Sequence, residues 1–335
     1  MKTRLHVLAC CVVLVLAACG GPNAESGSTT TSGDTTSTSL SSPTSTSTTL
    51  PATTTTVQPS SEVRTLMASL TEKSAQLNSA RIEGVIEMTG MNAEETGLSD
   101  ITILFGTAFD ATTGDSSFLM DMSSLADAID PAELEETEGP FATMALGFFD
   151  TIEFRQIGER VFLKMSFFTA LLGAETEWIS MPAEDGDNFS ESFSTVPSDP
   201  MAVVEAYEDA AVSLENLGTE TVNGVDAIHY RISLNTDEMD LTAEERAELE
   251  ESGLFAEGII PMDIWVTEEG YTVRMTLEID GTGIDAPPAQ QFDRMRISYD
   301  MLDINQTVVI DEPPAADVTA VEDLEGGFFG LDPES

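Results

Sequence analysis

The dipeptide Asn223-Gly224 lies between two runs of alternating apolar and polar residues, and it is the most restrictive local signal in the chain. Asn-Gly favours the positive backbone φ angles of a two-residue type I′ turn, whose twist matches that of paired strands. A second pair of alternating runs, 262–267 and 272–280, flanks residues 268–270. Two β-hairpins are therefore predicted, and with them a sheet that is largely antiparallel.

Other patterns predict further strands and a few helices. Strands are expected at 81–89, 100–111, 116–122, 152–157, 161–165, 177–181 and 294–299. Apolar residues at helical spacing predict helices at 61–77, 200–217 and 243–252, the second of them capped by Asp199 and ending at Gly218. This mixture indicates one α+β domain over residues 61–318. Residues 319–335 are predicted to form an acidic flexible tail.

Residues 1–18 have the parts of an export signal. Lys2 and Arg4 precede an apolar run that is too short to span a bilayer, and the run closes on Leu16-Ala17-Ala18-Cys19. That ending resembles the bacterial lipobox, in which the thiol of the cysteine is acylated and the cysteine becomes the new N-terminus. Cys19 is therefore the predicted lipidation site. An ordinary signal peptide, or an N-terminal anchor helix, is the alternative.

The segment 19–60 consists mostly of Ser, Thr, Gly and Pro. Such a segment cannot bury enough apolar surface to offset the entropy lost on ordering, so a disordered tether is predicted. As a coil it would hold the domain roughly 35 Å from Cys19 on average. Its Thr and Pro content also suits O-glycosylation.

The charge of the chain argues against two kinds of partner, nucleic acid and anionic lipid headgroups. The chain has 60 acidic and 13 basic residues, a formal net charge of −47. Such a surface repels nucleic acid and anionic lipid headgroups, so neither is an expected partner by charge. Solubility, or adaptation to salty surroundings, is the simpler interpretation of the acidity. Calcium binding is the sharper one, but the sequence contains no EF-hand loop.

Cysteine and histidine are nearly missing from the chain that follows the signal. The three cysteines are Cys10, Cys11 and Cys19, and His229 is the one histidine after the signal. No disulfide, no metal site and no cofactor are therefore expected, and no catalytic residue is predicted. His229 alternates with apolar neighbours, which predicts an outward-facing strand residue. A hydrolase using the paired carboxylates Glu184 and Asp185 is the weaker, enzymatic alternative.

Large, soft side chains concentrate in the middle of the chain, where Phe and Met together can line a deformable cavity. A solid core is the alternative for any one of them. Two tryptophans are added as candidates for the cavity mouth. The candidate ligand-cavity residues are Phe105, Phe109, Phe118, Met120, Phe154, Phe162, Met165, Phe167, Phe168, Trp178 and Trp265.

Three stretches together carry a family resemblance. They are the hairpin 217–225 with its continuation 229–231, the hairpin 261–275, and the ending 304–314 with its Pro313-Pro314 pair. Combined with the lipobox, they resemble actinobacterial lipoproteins of the LppX/LprG type, whose fold is that of the LolA/LolB lipoprotein carriers. The resemblance covers the ends of the domain and is weak over residues 90–200.

The resemblance implies a twisted antiparallel half-barrel sheet with helices on its concave face, enclosing a cavity for acyl chains. It also implies a non-enzymatic function: binding a lipid or lipoglycan and carrying it within the cell envelope. The protein is then expected to be exported, to be anchored to the outer leaflet of the plasma membrane through acylated Cys19, and to be a monomer with an envelope transporter as partner. A non-lipid envelope binding or sensing module with a solid core is the alternative.

Overall fold

A computed structural model describes residues 61–92, 98–127, 147, 150–183, 210–239, 258–282 and 291–324. The predicted signal (1–18), Cys19, the tether (19–60), the helix at 243–252 and the pair Glu184-Asp185 lie outside these residues. Within the described ranges, the helices and strands are α1 (Ser61–Ser74), β1 (Ser79–Thr89), β2 (Asp100–Asp110), β3 (Asp115–Asp121), α2 (Ser123–Asp127), β4 (Thr151–Ile157), β5 (Arg160–Met165), α3 (Ser166–Leu171), β6 (Trp178–Pro182), β7 (Ala211–Val222), β8 (Val225–Asn235), β9 (Ile259–Thr267), β10 (Thr272–Asp280), β11 (Arg294–Leu302) and β12 (Val318–Ala320).

All of these strands belong to one sheet, in the order β12-β6-β5-β4-β3-β2-β1-β11-β10-β9-β8-β7. Every neighbouring pair is antiparallel except β12, which runs parallel to β6. In the described chain the two end strands, β12 and β7, are not paired with each other, so the sheet is open. The predicted α+β fold with a large antiparallel sheet is confirmed.

One face of the sheet, called here the inner face, carries the hydrophobic core. The main cluster joins the buried side of α1 (Val63, Met67 and Leu70) to inward residues of β1, β2 and β8–β11. A second cluster on β5, β6 and α3 comprises Val161, Leu163, Met165, Phe167, Ile179 and Met181. Ile152 packs against both clusters, which makes the inner face continuous. Helix α1 therefore covers the inner face, as a helix on the concave side of the sheet would.

The opposite face, called here the outer face, carries a small apolar group of its own. Val222, Ala227 and Val273 are buried there together, with Trp265 and Ile304 packed against them. The sequence predicts Val273 on the same side as Met275, but a β-bulge between Thr272 and Arg274 shifts the register. The prediction for Val273 is therefore wrong, because a bulge re-aims the side chain that it carries.

The type I′ turn is present where the sequence predicts it. Asn223 has φ 51° and Gly224 has φ 82°, so both central residues are left-handed, as this turn requires. The turn fixes the register of β7 against β8, with Val222 opposite Val225 and Glu220 opposite Ala227.

The predicted helix over 200–217 is wrong in its second half, and residues 200–209 lie outside the described chain. Strand β7 begins at Ala211 and pairs with β8 along its length. Gly218, predicted as a helix cap, has φ +105° at a register irregularity inside this strand. The apolar residues that suggest a helical stripe are compatible with either period, and pairing with β8 decides between them.

The folded chain continues beyond residue 318, where the sequence analysis places the end of the domain. Strand β12 lies beside β6 and the hydroxyl of Thr319 is 2.7 Å from that of Thr176. Val321 and Leu324 then pack against the second cluster. Residues 318–324 therefore pack on the sheet and do not belong to the predicted flexible tail.

We expect that a chain ending at residue 317 is less stable than one ending at Leu324. The shorter chain loses β12 and also loses Val321 and Leu324, whose side chains pack against the second cluster. The lost burial costs about 2 kcal/mol. Urea unfolding of both chains measures the difference, and the chain ending at Leu324 is the control because it retains every contact described here. Equal unfolding free energies would contradict the assignment.

Candidate functional site

A band of half-buried side chains crosses the inner face between the two clusters. We call it the inner strip, and it consists of Phe105, Phe109, Phe118, Ile152 and Phe154. Each of these side chains is only partly buried, whereas the residues of the flanking clusters are almost fully buried. The inner strip is therefore the part of the core face on which the described chain leaves apolar surface incompletely covered.

Strand register brings the members of the strip together. Phe118 stands directly opposite Phe154, and Met120 stands between Phe105 and Ile152 in the two pairings that it makes. Side chains directly opposite each other on antiparallel strands are about 5 Å apart at Cβ, so these residues form a contiguous apolar surface. Met120 itself is buried in the main cluster.

A glycine shapes the strip at Phe105. Gly84 on β1 is the register partner of Phe105, and a Cβ built on Gly84 would lie 2.1 Å from Cζ of that ring. The ring therefore lies flat over the backbone of β1 in space that only glycine leaves open. Gly106, on the neighbouring strand, has no such contact, since its nearest heavy atom would be the carbonyl oxygen of Ile82 at 3.4 Å.

The other candidate cavity residues do not join the strip. Met165 and Phe167 are buried in the second cluster, and Phe168 lies on α3 with a side chain outside the described part of the structure. Phe162, Trp178 and Trp265 lie on the outer face, because side chains alternate along a strand and their chain neighbours belong to the core clusters. The structure thus divides the candidate residues between the two faces of the sheet.

On the outer face, Trp178 is covered by cations. The guanidinium carbon of Arg155 lies 4.8 Å from the Trp178 ring centroid, and the Lys164 ammonium lies 5.9 Å from it. Arg155 also donates a hydrogen bond of 2.6 Å to the backbone carbonyl of Asp311, which ties the chain after β11 to this face. Trp178 is thus held in an electrostatic contact, and it faces away from the inner strip.

Trp265 belongs to a polar cluster built around His229. The two rings stack with centroids 4.1 Å apart and an angle of 17° between their planes. His229 Nδ1 is 3.0 Å from Glu220 Oε1, and the indole nitrogen of Trp265 donates to the other oxygen of Glu220 at 2.9 Å. His229 Nε2 lies 3.2 Å from Asp263 Oδ1, although the geometry is not that of a hydrogen bond. Since a carboxylate only accepts, Nδ1 carries the hydrogen in the contact with Glu220.

Arginines extend this cluster across the sheet. Arg231 donates two hydrogen bonds to Asp263, at 2.9 and 3.0 Å, and this pairing raises the pKa of Arg231. Arg274 lies 5.9 Å from the Trp265 ring and donates to both oxygens of Asp300, at 2.5 and 2.8 Å. Burial raises the pKa of Asp300, but the hydrogen bonds from Arg274 and Asn223 outweigh it, so the pKa is lowered. Positive and negative groups thus alternate along the outer face.

The sequence analysis places His229 on the outward side of its strand, and its chain neighbour Tyr230 packs on the main cluster. Alternation along the strand does not reveal that His229 is only 9% exposed. Its contact with Glu220 could have been inferred, since the type I′ turn fixes which residues of β7 and β8 are neighbours. The stacking partner Trp265 could not, because it depends on the register of β8 against β9, which no tight turn connects.

Two further findings concern the described residues only. In these ranges no helix combines the length and apolar character needed to cross a membrane. Among the same residues, no three His, Cys, Asp or Glu side chains are grouped so that they could hold a metal ion.

Comparison with known proteins gives structural similarity only. No family model matches the sequence, and no protein of curated function matches it. Among solved structures, the lipoprotein LppX of Mycobacterium tuberculosis is 12% identical over 75% of this chain and 98% of its own, with a TM-score of 0.38. LprF of Mycobacterium bovis is 10% identical over 76% and 99%, with a TM-score of 0.35. A putative outer membrane lipoprotein-sorting protein domain from Vibrio parahaemolyticus is 9% identical over 73% and 93%, at 0.20. At these TM-scores no function can be transferred.

We expect Gly84→Ala to destabilise the protein by about 1–3 kcal/mol, because the added methyl displaces the ring of Phe105. Gly106→Ala is the matched control on the paired strand, where the added methyl meets only an ordinary contact. In a Phe105→Ala background the Gly84→Ala penalty should largely disappear. Thermal unfolding of the four variants measures this coupling, and a Gly84→Ala penalty that is unchanged without the ring would rule out the contact.

Acid should loosen the contact between Trp265 and Glu220. Hydrogen bonds from Trp265 and then His229 lower the pKa of Glu220 from its ordinary value of 4.5. The stabilisation from Glu220 is therefore complete above that value and is lost as the pH falls through the lowered pKa.

The measurement is an acid titration of tryptophan fluorescence in a Trp178→Phe background, which leaves Trp265 as the one tryptophan. Glu220→Gln should remove the transition below pH 4.5, whereas Glu215→Gln, an exposed position on the same strand, should keep it. An identical transition in all three proteins would exclude Glu220 as its origin.

Proposed function

We propose that this protein is a membrane-tethered lipoprotein that shelters the acyl chains of a lipid or lipoglycan on the inner strip and carries that lipid within the cell envelope. The observation that supports this most directly is the inner strip itself. It is a contiguous apolar surface, half-buried, between two clusters that are almost fully buried. A solid core would bury such side chains as completely as it buries its flanks.

The energetics of the strip favour an apolar ligand. Covering apolar surface contributes about 25 cal/mol per Å², so an acyl chain that covers a few hundred Å² gains several kcal/mol. That gain offsets a large share of the cost of removing the chain from a bilayer. Four of the five residues of the strip are phenylalanines and the fifth is an isoleucine. None of these side chains is polar or charged, so the strip offers water no side-chain hydrogen bond.

The main cluster is suited to ligands of varied shape. Its buried members include ten methionines, from Met67 on α1 to Met301 on β11. Methionine is unbranched and polarisable, and it adapts to irregular neighbours more readily than Leu or Ile. A core face built in this way can adjust around acyl chains that differ in length or unsaturation. No catalytic group is needed for such a function, and we propose a non-enzymatic carrier.

The N-terminal sequence supplies the location in this proposal. Acylation of Cys19 would anchor the protein to the outer leaflet of the plasma membrane, since two acyl chains suffice for stable attachment. The segment 20–60 would then let the domain reach the membrane from which its lipid comes. The strongly negative charge leaves anionic headgroups without an attractive surface, so contact with the membrane would depend on the anchor.

We expect protein released from the membranes of its native host to carry extractable lipid, detected by native mass spectrometry. The emptied protein should bind a fluorescent long-chain fatty acid. Replacing Phe118 and Phe154 by Ala removes two rings of the strip and should weaken probe binding by about tenfold for each ring.

The matched controls are Leu104→Ala and Leu119→Ala, because these exposed residues precede or follow a strip residue on the same strands but face outward. Their affinity for the probe should equal that of the unmodified protein. Protein that carries no lipid and binds no fatty-acid probe would overturn the proposal and favour a binding or sensing module with a solid core.

A further inference from the structure

A cavity of about 440 Å³ lies at one end of the sheet, away from the inner strip residues. It forms where the β7–β8 turn and the β9–β10 turn meet the end of β11 and the residues that follow it, 303–306. Its volume falls within the range of about 300–1,000 Å³ that is usual for small-molecule sites. A single metal ion or water molecule would leave most of it empty.

The floor of this cavity is apolar. Val222 and Val273 line it and belong to the outer-face group. Ile304 also lines it and packs against both that group and the main cluster. The β-bulge that re-aims Val273 therefore contributes directly to the floor.

The rim of the cavity is polar and nearly all of it comes from planar side chains. The rim residues include Arg81, Asn223, Glu269, Tyr271 and Gln306. Amides, carboxylates and guanidinium groups each offer two hydrogen-bonding atoms in one plane, which suits neighbouring hydroxyl groups on a ring.

The charges of the rim disfavour an anionic ligand. Arg81 is already shared between two carboxylates, Asp303 at 3.3 Å and Glu83 at 3.5 Å. Glu269 adds a further negative charge to the rim. A phosphate or a fatty-acid carboxylate would therefore find Arg81, the cation that lines the cavity, already paired, in a protein that is strongly negative.

The backbone around the cavity is held in a defined conformation. Asn223, Asp303 and Asn305 have φ of 51°, 53° and 53°, and all three line this cavity. Within the described ranges these are the non-glycine residues with positive φ. Asn and Asp adopt this left-handed conformation more readily than other non-glycine residues, so these positions mark tight turns around the cavity.

Asn305 makes the holding contacts. Its Oδ1 accepts a hydrogen bond of 2.8 Å from the backbone of Asn78, and its Nδ2 donates one of 3.1 Å to the hydroxyl of Tyr271. The ammonium group of Lys73, at the end of α1, lies 5.5 Å from the centroid of the Tyr271 ring. The rim is thus tied to α1 and to the residue that precedes β1, so a ligand would not have to order it.

From these features we infer that the cavity binds an uncharged, polyhydroxylated ring, that is, a saccharide. The valine and isoleucine floor would take the C–H face of the ring, and the planar rim groups would take its hydroxyls. This site is separate from the inner strip and does not rest on the acyl-chain proposal. The saccharide is either the headgroup of a bound lipid or a sugar of the envelope outside any lipid, and these two sources share one chemistry.

The test is saturation-transfer NMR and calorimetry on the full-length protein with methyl α-glucoside, methyl α-mannoside, methyl β-galactoside and myo-inositol at millimolar concentration. At least one of these should bind. Glu269→Ala should weaken its binding about tenfold, since a hydrogen bond to a charged group is lost. Glu268→Ala is the matched control, because Glu268 is the exposed chain neighbour and does not line the cavity.

A second pair of variants fills the cavity instead of removing a contact. Val225, which lines it, is 44% exposed, so Val225→Trp should fit without disturbing the core and should reduce affinity at least tenfold. Leu217→Trp, at a 38% exposed position on the same hairpin, should leave affinity unchanged. Binding that survives Val225→Trp at full affinity would place the sugar elsewhere and overturn the inference.

The octyl glycoside of the binding sugar distinguishes the two sources. A lipid headgroup predicts that it binds at least tenfold more tightly than the methyl glycoside. A sugar free of lipid predicts equal affinities for both. If neither glycoside binds while the fatty-acid probe still does, the saccharide site is excluded and the acyl-chain proposal stands.

Discussion

A sheet of twelve strands with one apolar face has to cover that face, and the rest of the structure depends on this requirement. Helix α1 covers the main cluster with three buried residues, and α3 covers part of the second cluster. Between them the inner strip crosses β2, β3 and β4 with its side chains only half-buried. Neighbouring strands satisfy the backbone hydrogen bonds in the middle of the sheet, so what the described residues leave incomplete is the apolar cover of the inner strip.

The outer face meets a different demand, because most of its side chains are polar and the protein has few cations. Arginines of β8, β10 and β11 are each shared with a carboxylate on a neighbouring strand. Opposite charges on adjacent strands relieve repulsion among the many acidic groups. The tryptophans of this face stack on His229 or lie beneath cations, so they take part in the same electrostatic arrangement.

The sequence predicts this fold well where structure is local. Both hairpins follow from turn residues and alternation, and the type I′ turn has the backbone that Asn-Gly favours. Prediction fails where pairing between distant strands decides. Ala211–Val222 could satisfy a helical or a strand period, and only β8 resolves it. Val273 faces the outer side because of a β-bulge that the residue types at this position do not predict.

The candidate site shows the same limit. Phe105, Phe118 and Phe154 share a face because of the registers of β2, β3 and β4. Phe162 comes from the same Phe- and Met-rich part of the chain but lies on the opposite face, as does Trp178. Composition identifies such a segment, but alternation along each strand decides the face on which each side chain lies. The cavity at the end of the sheet combines residues from four separate parts of the chain, and no linear motif marks it.

The strand order also determines how the chain can fold as it is made. Strand β1 lies in the middle of the sheet, beside β2 on one side and β11 on the other, so Arg81 pairs with Leu302. When β1–β6 have been made, one edge of β1 and one edge of β6 are still unpaired. Their partners, β11 for β1 and β12 for β6, lie near the end of the chain. Unpaired edges beside an uncovered apolar face are prone to intermolecular pairing, and contacts so distant in sequence form slowly. A chain with this strand order therefore needs protection of these edges until its last strands are in place.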